Sequence, residues 1–252
     1  MSKIGFIQSR GLGDLIIALP IARYYHMQGH AVYWPICEEF WPSMKDAASW
    51  VHWIPLPTDS NGEFFYTEPM RRLNALKCDD IVCLYQSLNA VPSLSDVPWF
   101  QIQKFDEFKY TKSGVPFINK WKLSECITRN KTREAVLYDH VVKQPLYYVT
   151  HLKGSTYTAV PDLSQIPDEW QHIEITELSD NVFDWLSVIE GAQAVIMVDS
   201  VYSNIVDQLA IDVEKYWIPR SHIHLTPVLG QHWNILEPPA NSGSAQKIFG
   251  SA

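Results

Sequence analysis

The chain has 252 residues, 46% of them hydrophobic and 19% charged, which excludes a disordered protein and leaves room for one or two domains. Lys and Arg number 20 against 28 Asp and Glu, a net charge of -8, so a uniformly basic nucleic-acid binder is excluded. Cys37, Cys78, Cys83 and Cys126 form no CxxC pair, so neither a zinc ribbon nor a thioredoxin-type site is expected. Reduced thiols in a cytoplasmic protein are expected instead, with no targeting segment ahead of the first strand. No apolar run approaches the ~18–20 residues that span a bilayer.

Residues 3–9 (KIGFIQS) read as a buried strand and 10–14 (RGLGD) as a glycine turn. Residues 15–27 are apolar on nearly every side, as in a helix packed between two layers. Pro20 should kink or end its first turns, and Gly29 should stop it. A strand at 30–36, a short helix at 38–48 and a strand at 50–56 follow. Residues 67–77 read as a helix with Thr67 as cap and Pro69 early in it. A fourth strand at 80–85 completes a β-α-β-α-β-α-β order, which implies a parallel, doubly wound sheet. Residues 86–120 lack periodicity and read as excursions beside the active site, and 121–142 as largely helical.

A second unit starts with a strand at 146–150 and a polar loop, HLKGST, at 151–156. A strand at 172–175, a helical seam at 182–189 stopped by Gly191, and a central strand at 194–198 come next. Asp199-Ser200 then opens a helix running to Ala210, and 214–218 is a further strand. The tail after Glu237 is low in core formers. The fold expected is α/β, with two Rossmann-like units at 1–145 and 146–252. Charge divides along the same line. Residues 146–252 carry four cations against 13 carboxylates, whereas 1–145 carry 16 against 15. Within the first unit, 101–135 is locally +4, which reads either as a solvated face or as a surface for an anionic partner.

Three constellations could carry chemistry. In Arg10-Gly11-Leu12-Gly13-Asp14, two glycines let backbone approach a ligand at the carboxyl end of the first strand. Ile16 stands where a dinucleotide fingerprint needs its third glycine. Asp14 can cap the helix, accept a proton from a bound group, or do both. Asp199-Ser200-Val201-Tyr202-Ser203-Asn204 combines a helix start with hydroxyl donors, which suits a phosphate. Lys153, Ser155 and Thr156 form a third candidate anion cradle, with Arg220 as a further counter-charge. No DxD, GxSxG or Walker A motif occurs, and His222, His224 and His232 have no interleaved ligands that would make a metal site. Of the ten Trp, most should be core, while Trp99, Trp121 and Trp233 are candidates for stacking on a sugar.

Residues 11–20 (GLGDLIIALP) resemble the N-terminal motif of the ADP-heptose heptosyltransferases, glycosyltransferase family 9, and 186–210 resemble that family's C-terminal signature, a strand leading to Asp-Ser and a diphosphate-receiving helix. Val201 and Asn204 replace the family's usual Gly and His. The resemblance implies a GT-B layout, two Rossmann-like domains facing a cleft. It also implies inverting, metal-independent transfer from a nucleotide-sugar, without a cofactor, to an acceptor hydroxyl. That acceptor is expected to be an anionic glycan, lipid-linked sugar or nucleic acid. Asp14 would be the base, with Arg10, Gly11 and Gly13 on the acceptor side. Lys153, Ser155, Thr156, Asp199, Ser200, Ser203, Asn204 and Arg220 would hold the donor. A nucleotide-sugar epimerase and a non-catalytic nucleotide-binding module remain alternatives.

Overall fold

A computed structural model describes residues 1–58, 62–85, 104–154, 158–164, 166–219 and 226–236. Ser155, Thr156, Arg220, Trp99, His222, His224 and the tail after Glu237 lie outside them. Two parallel sheets organise the chain. The first contains β1 (Lys3–Ile7), β2 (Ala31–Cys37), β3 (His52–Leu56) and β4 (Asp80–Cys83) in the order β3-β2-β1-β4. The second contains β5 (Tyr147–His151), β6 (Gln171–Glu174), β7 (Ala194–Val198), β8 (Glu214–Ile218) and β9 (Asn234–Ile235) in the order β6-β5-β7-β8-β9. All of the strand pairs in both sheets are parallel.

Strand alternation shows how helices cover both faces of the first sheet. Side chains on β1 point alternately to opposite sides. Phe6 meets Tyr25 of helix α1 (Leu12–Met27), with ring centroids 5.6 Å apart. A Cβ at the neighbouring Gly5 would come within 2.8 Å of Leu73 on helix α3 (Thr67–Ala75). Helices α1 and α3 therefore sandwich the sheet, and Gly5 allows the close approach. The same alternation divides the second sheet. Val195 and Met197 of β7 face the large core, while Ala194, Ile196 and Val198 face a smaller cluster with Tyr148 and Ile218. Burial on both sides explains why β7 reads as an unbroken apolar run.

The large core is continuous across both sheets. It includes Phe6 and Trp34 from the first, Val149 and Met197 from the second, and Leu15–Leu19 of α1 between them. Helix α1 packs on α7 (Val201–Gln208), which accounts for its lack of a polar face. Pro20 does not end α1; it is buried within one unbroken helix. The Tyr110 hydroxyl donates to Ile17 O at 3.0 Å, giving a carbonyl in that turn a partner from outside the helix.

Other expectations need correction. Thr67 is the first helical residue of α3 and does not cap it; Tyr66 precedes the helix without a side-chain cap. Irregular structure was expected over 86–120, but the described part contains helix α4 (Phe105–Ser113). Within 121–142, only α5 (Lys131–Val141) is α-helical, preceded by 3₁₀ turns at Phe117–Trp121 and Leu123–Glu125. The helices expected at 38–48 and 182–189 each open with a 3₁₀ turn, followed by α2 (Trp41–Ala47) and α6 (Leu186–Glu190).

Two features tie the halves together. Helix α5 packs on α6 and the 3₁₀ turn before it, where Arg133 meets Asp184 at 2.8 Å and Arg129 bridges Glu134 and Glu190. Residues 226–233 also return across the first half. Asp106 accepts from Lys120 Nζ at 2.7 Å and from Val228 N at 2.9 Å, and Lys104 Nζ donates to Pro227 O at 3.1 Å. Asp207 of α7 then accepts from Gly230 N, Gln231 N and Trp233 Nε1.

Candidate functional site

The two sequence constellations meet where α1 and α7 begin. Gly11, at φ 85°, precedes α1 in a backbone conformation that glycine adopts without strain. The N-cap of α1 is Gly11, so Asp14, in the first turn of α1, is not the capping residue, although its charge favours the positive end of the helix. Its Oδ1 is 2.9 Å from Lys109 Nζ. Its Oδ2 lies 2.7 Å from where a Cβ on Gly11 would stand. An alanine at that position would displace the carboxylate as well as strain the backbone. The Asp14 side chain remains 37% exposed, so one face of the carboxylate can reach a ligand.

The ends of the first sheet's strands support this turn. Gln8 Nε2 donates to Arg10 O at 2.8 Å, and Arg10 N donates to the Tyr85 hydroxyl at 2.9 Å. The hydroxyl of buried Ser9 donates to Phe64 O. The Arg10 guanidinium is exposed and lies over the Phe64 ring, 5.3 Å from its centroid.

Helix α7 starts directly opposite. A Cβ at Gly13 would stand 3.7 Å from Val201 N and 3.5 Å from Asn204 Nδ2. A methyl group fits there, whereas a longer side chain would push the helices apart. The first amides of an α-helix have no partners within it and carry the positive end of its dipole. At α7 those amides belong to Val201 and Tyr202. Ser200 and Ser203 form a capping box, in which Ser200 N donates to Ser203 Oγ at 3.0 Å. Ser203 is 1% exposed and its hydroxyl also donates to Ser200 O, while Asn204 Nδ2 donates to the same carbonyl at 2.8 Å. These two side chains shape the helix start, so they are less available to a donor than their residue types suggested. Asp199 is buried at the end of β7, its amide bonded to Ile218 O.

His151, the last residue of β5, lines this edge; the sequence places it at the head of the HLKGST loop but, without a spaced partner, gives it no role in binding. Its Nδ1 is 2.9 Å from Ser200 Oγ, and its ring lies 4.7 Å from that of Tyr202. Burial pulls its pKa down to about 4, so the ring is neutral at pH 7 and supplies no counter-charge to an anion. Lys153 is exposed and pairs with Thr158 in an isolated antiparallel bridge.

The basic stretch at 101–135 is largely occupied with internal partners. Lys109 and Lys120 are buried, Lys104 contacts the returning segment, and Arg129, Lys131 and Arg133 sit in ion pairs. Lys112 and Lys122 are exposed. Most of the described cations of this stretch therefore have internal partners, while Lys112, Lys122, Lys131 and Arg133 still present charge at the surface. Two stacking candidates change role as well. Trp233 is 6% exposed with its Nε1 bonded to Asp207, and Trp121 packs on Gly230, where a Cβ would come within 2.6 Å of its ring. Among the described residues, no three His, Cys, Asp or Glu side chains gather as a metal site, and no helix is long and apolar enough to cross a membrane.

No family model matches this sequence, and no curated protein matches it. Solved structures do match in fold. A glycosyl transferase family 9 protein from Veillonella parvula shares 11% identity over 94% of this chain and 87% of its own, with a TM-score of 0.59. The E. coli ADP-heptose LPS heptosyltransferase II shares 8% over 94% and 90%, with a TM-score of 0.52. The E. coli heptosyltransferase WaaC with ADP shares 12% over 94% and 93%, with a TM-score of 0.50. The chain thus has the GT-B-like fold of these glycosyltransferases, in which two Rossmann-like α/β units are set side by side.

Proposed function

We propose that this protein is an inverting, metal-independent glycosyltransferase that moves a sugar from a nucleoside diphosphate donor to an acceptor hydroxyl. The observation that carries the reading is the juxtaposition at Gly13. Gly13, next to the partly exposed Asp14 in the first turn of α1, packs against Val201 at the amide end of α7, and the two helices follow strands of different sheets. In this reading the donor's diphosphate rests on the Val201 and Tyr202 amides, with Ser200 and Lys153 beside it. Asp14 takes the proton from the acceptor as its oxygen bonds to the anomeric carbon. The bond from that carbon to the diphosphate breaks, and its electron pair stays on the departing phosphate oxygen. The helix dipole stabilises the charge that develops there. The likeness in fold to glycosyltransferases supports the same conclusion.

Internal pairing of several 101–135 cations weakens the case for an anionic acceptor, so a neutral hydroxyl is an equal candidate. A thermal-shift screen of ADP-, UDP- and GDP-sugars should identify the donor, because a ligand at ~100 Kd adds about 2.7 kcal/mol of stability. Asp14→Asn should then lower turnover by about 10²–10⁴-fold, the usual contribution of a general base, while donor affinity stays unchanged. Near-normal turnover in that variant would remove Asp14 from the role. Conversion of the donor's sugar without an acceptor would point to epimerase chemistry.

A further inference from the structure

Helix α4 brings Lys109 beneath Asp14. The lysine is 3% exposed, so its ammonium cannot swing out to meet a substrate. Three acceptors surround its three N–H groups: Asp14 Oδ1 at 2.9 Å, Gln8 Oε1 at 2.7 Å and Leu84 O at 3.2 Å. Gln8 is itself oriented, since its amide nitrogen donates to Arg10 O. Leu84 follows β4, and Gln8 follows the adjacent β1. The ammonium is therefore fixed to the carboxyl ends of two neighbouring strands. A buried ion pair of this kind adds little net stability compared with apolar packing, so stability alone does not account for a lysine at this position.

The two carboxylate oxygens of Asp14 are unlike. Oδ1 accepts from a rigid, buried ammonium. Oδ2 lies over Gly11, where only the absence of a side chain leaves room for it. We infer that Lys109 is a positioning residue that holds Asp14 by Oδ1, so that Oδ2 is the oxygen that receives the acceptor's proton. The inference rests on the glycosyltransferase reading for what Asp14 does. The geometry of the pair stands independently of it. Once protonated, Oδ2 can return its proton to solvent through the exposed face of the side chain.

Two measurements test this. The first needs no substrate. In the folded wild-type protein, the Lys109 ammonium should give a slowly exchanging ¹⁵N–¹H signal with a through-hydrogen-bond coupling to the Asp14 carboxyl carbon. That coupling should vanish in Asp14→Ala, which removes both acceptor oxygens at a partly exposed side chain. Its absence in the wild type would overturn the assignment, whether or not Lys109 variants fold. The second uses the nucleotide-sugars of the screen, ADP-heptose included. Lys109→Met should lower kcat by about 10- to 100-fold, the scale of a misplaced catalytic group, with donor Kd unchanged. Lys109→Arg should recover part of the loss. In an Asp14→Asn background, Lys109→Met should cost less than about twofold further, because residues acting as a unit are not additive. An equal loss in both backgrounds, or a parallel loss of donor affinity, would overturn the positioning role. If the wild type turns over none of these donors, the proposed function fails, and the coupling alone decides whether Lys109 holds Asp14.

Discussion

His151 shows how a single side chain links the site to the stability of the fold. In an unfolded chain, a histidine titrates near ~6.5, whereas burial holds His151 at about 4. Between these values the unfolded chain binds a proton that the folded chain refuses, so stability falls as pH drops from about 6.5 toward 4 and is complete above that window. Partial exposure of the ring moderates the effect, which should be on the order of 2 kcal/mol. Urea denaturation at pH 7 and pH 4.5 measures it. His151→Gln should lose less stability between the two conditions than the wild type; an identical loss would show that His151 does not carry this dependence. Because the imidazole is neutral at pH 7, His151 offers no positive charge beside Ser200.

At the scale of elements, local signals were readable and paired charges were not. The runs that became β7 and β8 were bounded correctly from sequence because their apolar residues are continuous or flanked by clear breaks. The glycine turn and Asp199-Ser200 were readable for the same reason, since both are short motifs next to a strand. Helix α4 was hidden because Asp106 and Lys109, both buried, look like surface residues when their partners are unknown. Glu134, buried against Arg129 on α5, misleads in the same way. The position of Asp14 in the turn was readable, but its pairing with Lys109 was not, since that pairing joins elements almost a hundred positions apart in sequence. Helix α7 offers a test at this level. Ser200→Ala removes the capping box and the partner of His151, and should cost about 1 kcal/mol, read as a lower urea midpoint with an unchanged slope. A larger loss of donor affinity than of stability would place Ser200 in the diphosphate site.

For the molecule as a whole, the continuous core and the returning segment bind the two sheets into one cooperative unit. Calorimetry should therefore give a single unfolding transition; two resolved transitions would contradict that coupling. The buried pair between Asp106 and Lys120 is the sharpest test of the tie. Desolvation lowers the Lys120 pKa while Asp106 raises it. Asp106→Ala leaves an ammonium buried without its carboxylate, a change that costs about 3–5 kcal/mol and should lower the melting temperature for both sheets together. The order in which the ribosome makes these partners adds a temporal consequence. Asp106 and Lys120 are translated early, but Val228, which completes their bonding, emerges more than a hundred residues later. Trp121 likewise waits for Gly230 to close over it. The first half, although it leads in sequence, therefore cannot finish its own packing while the second is still being synthesised, and a nascent chain should stay open to proteases until residue 233 has left the exit tunnel.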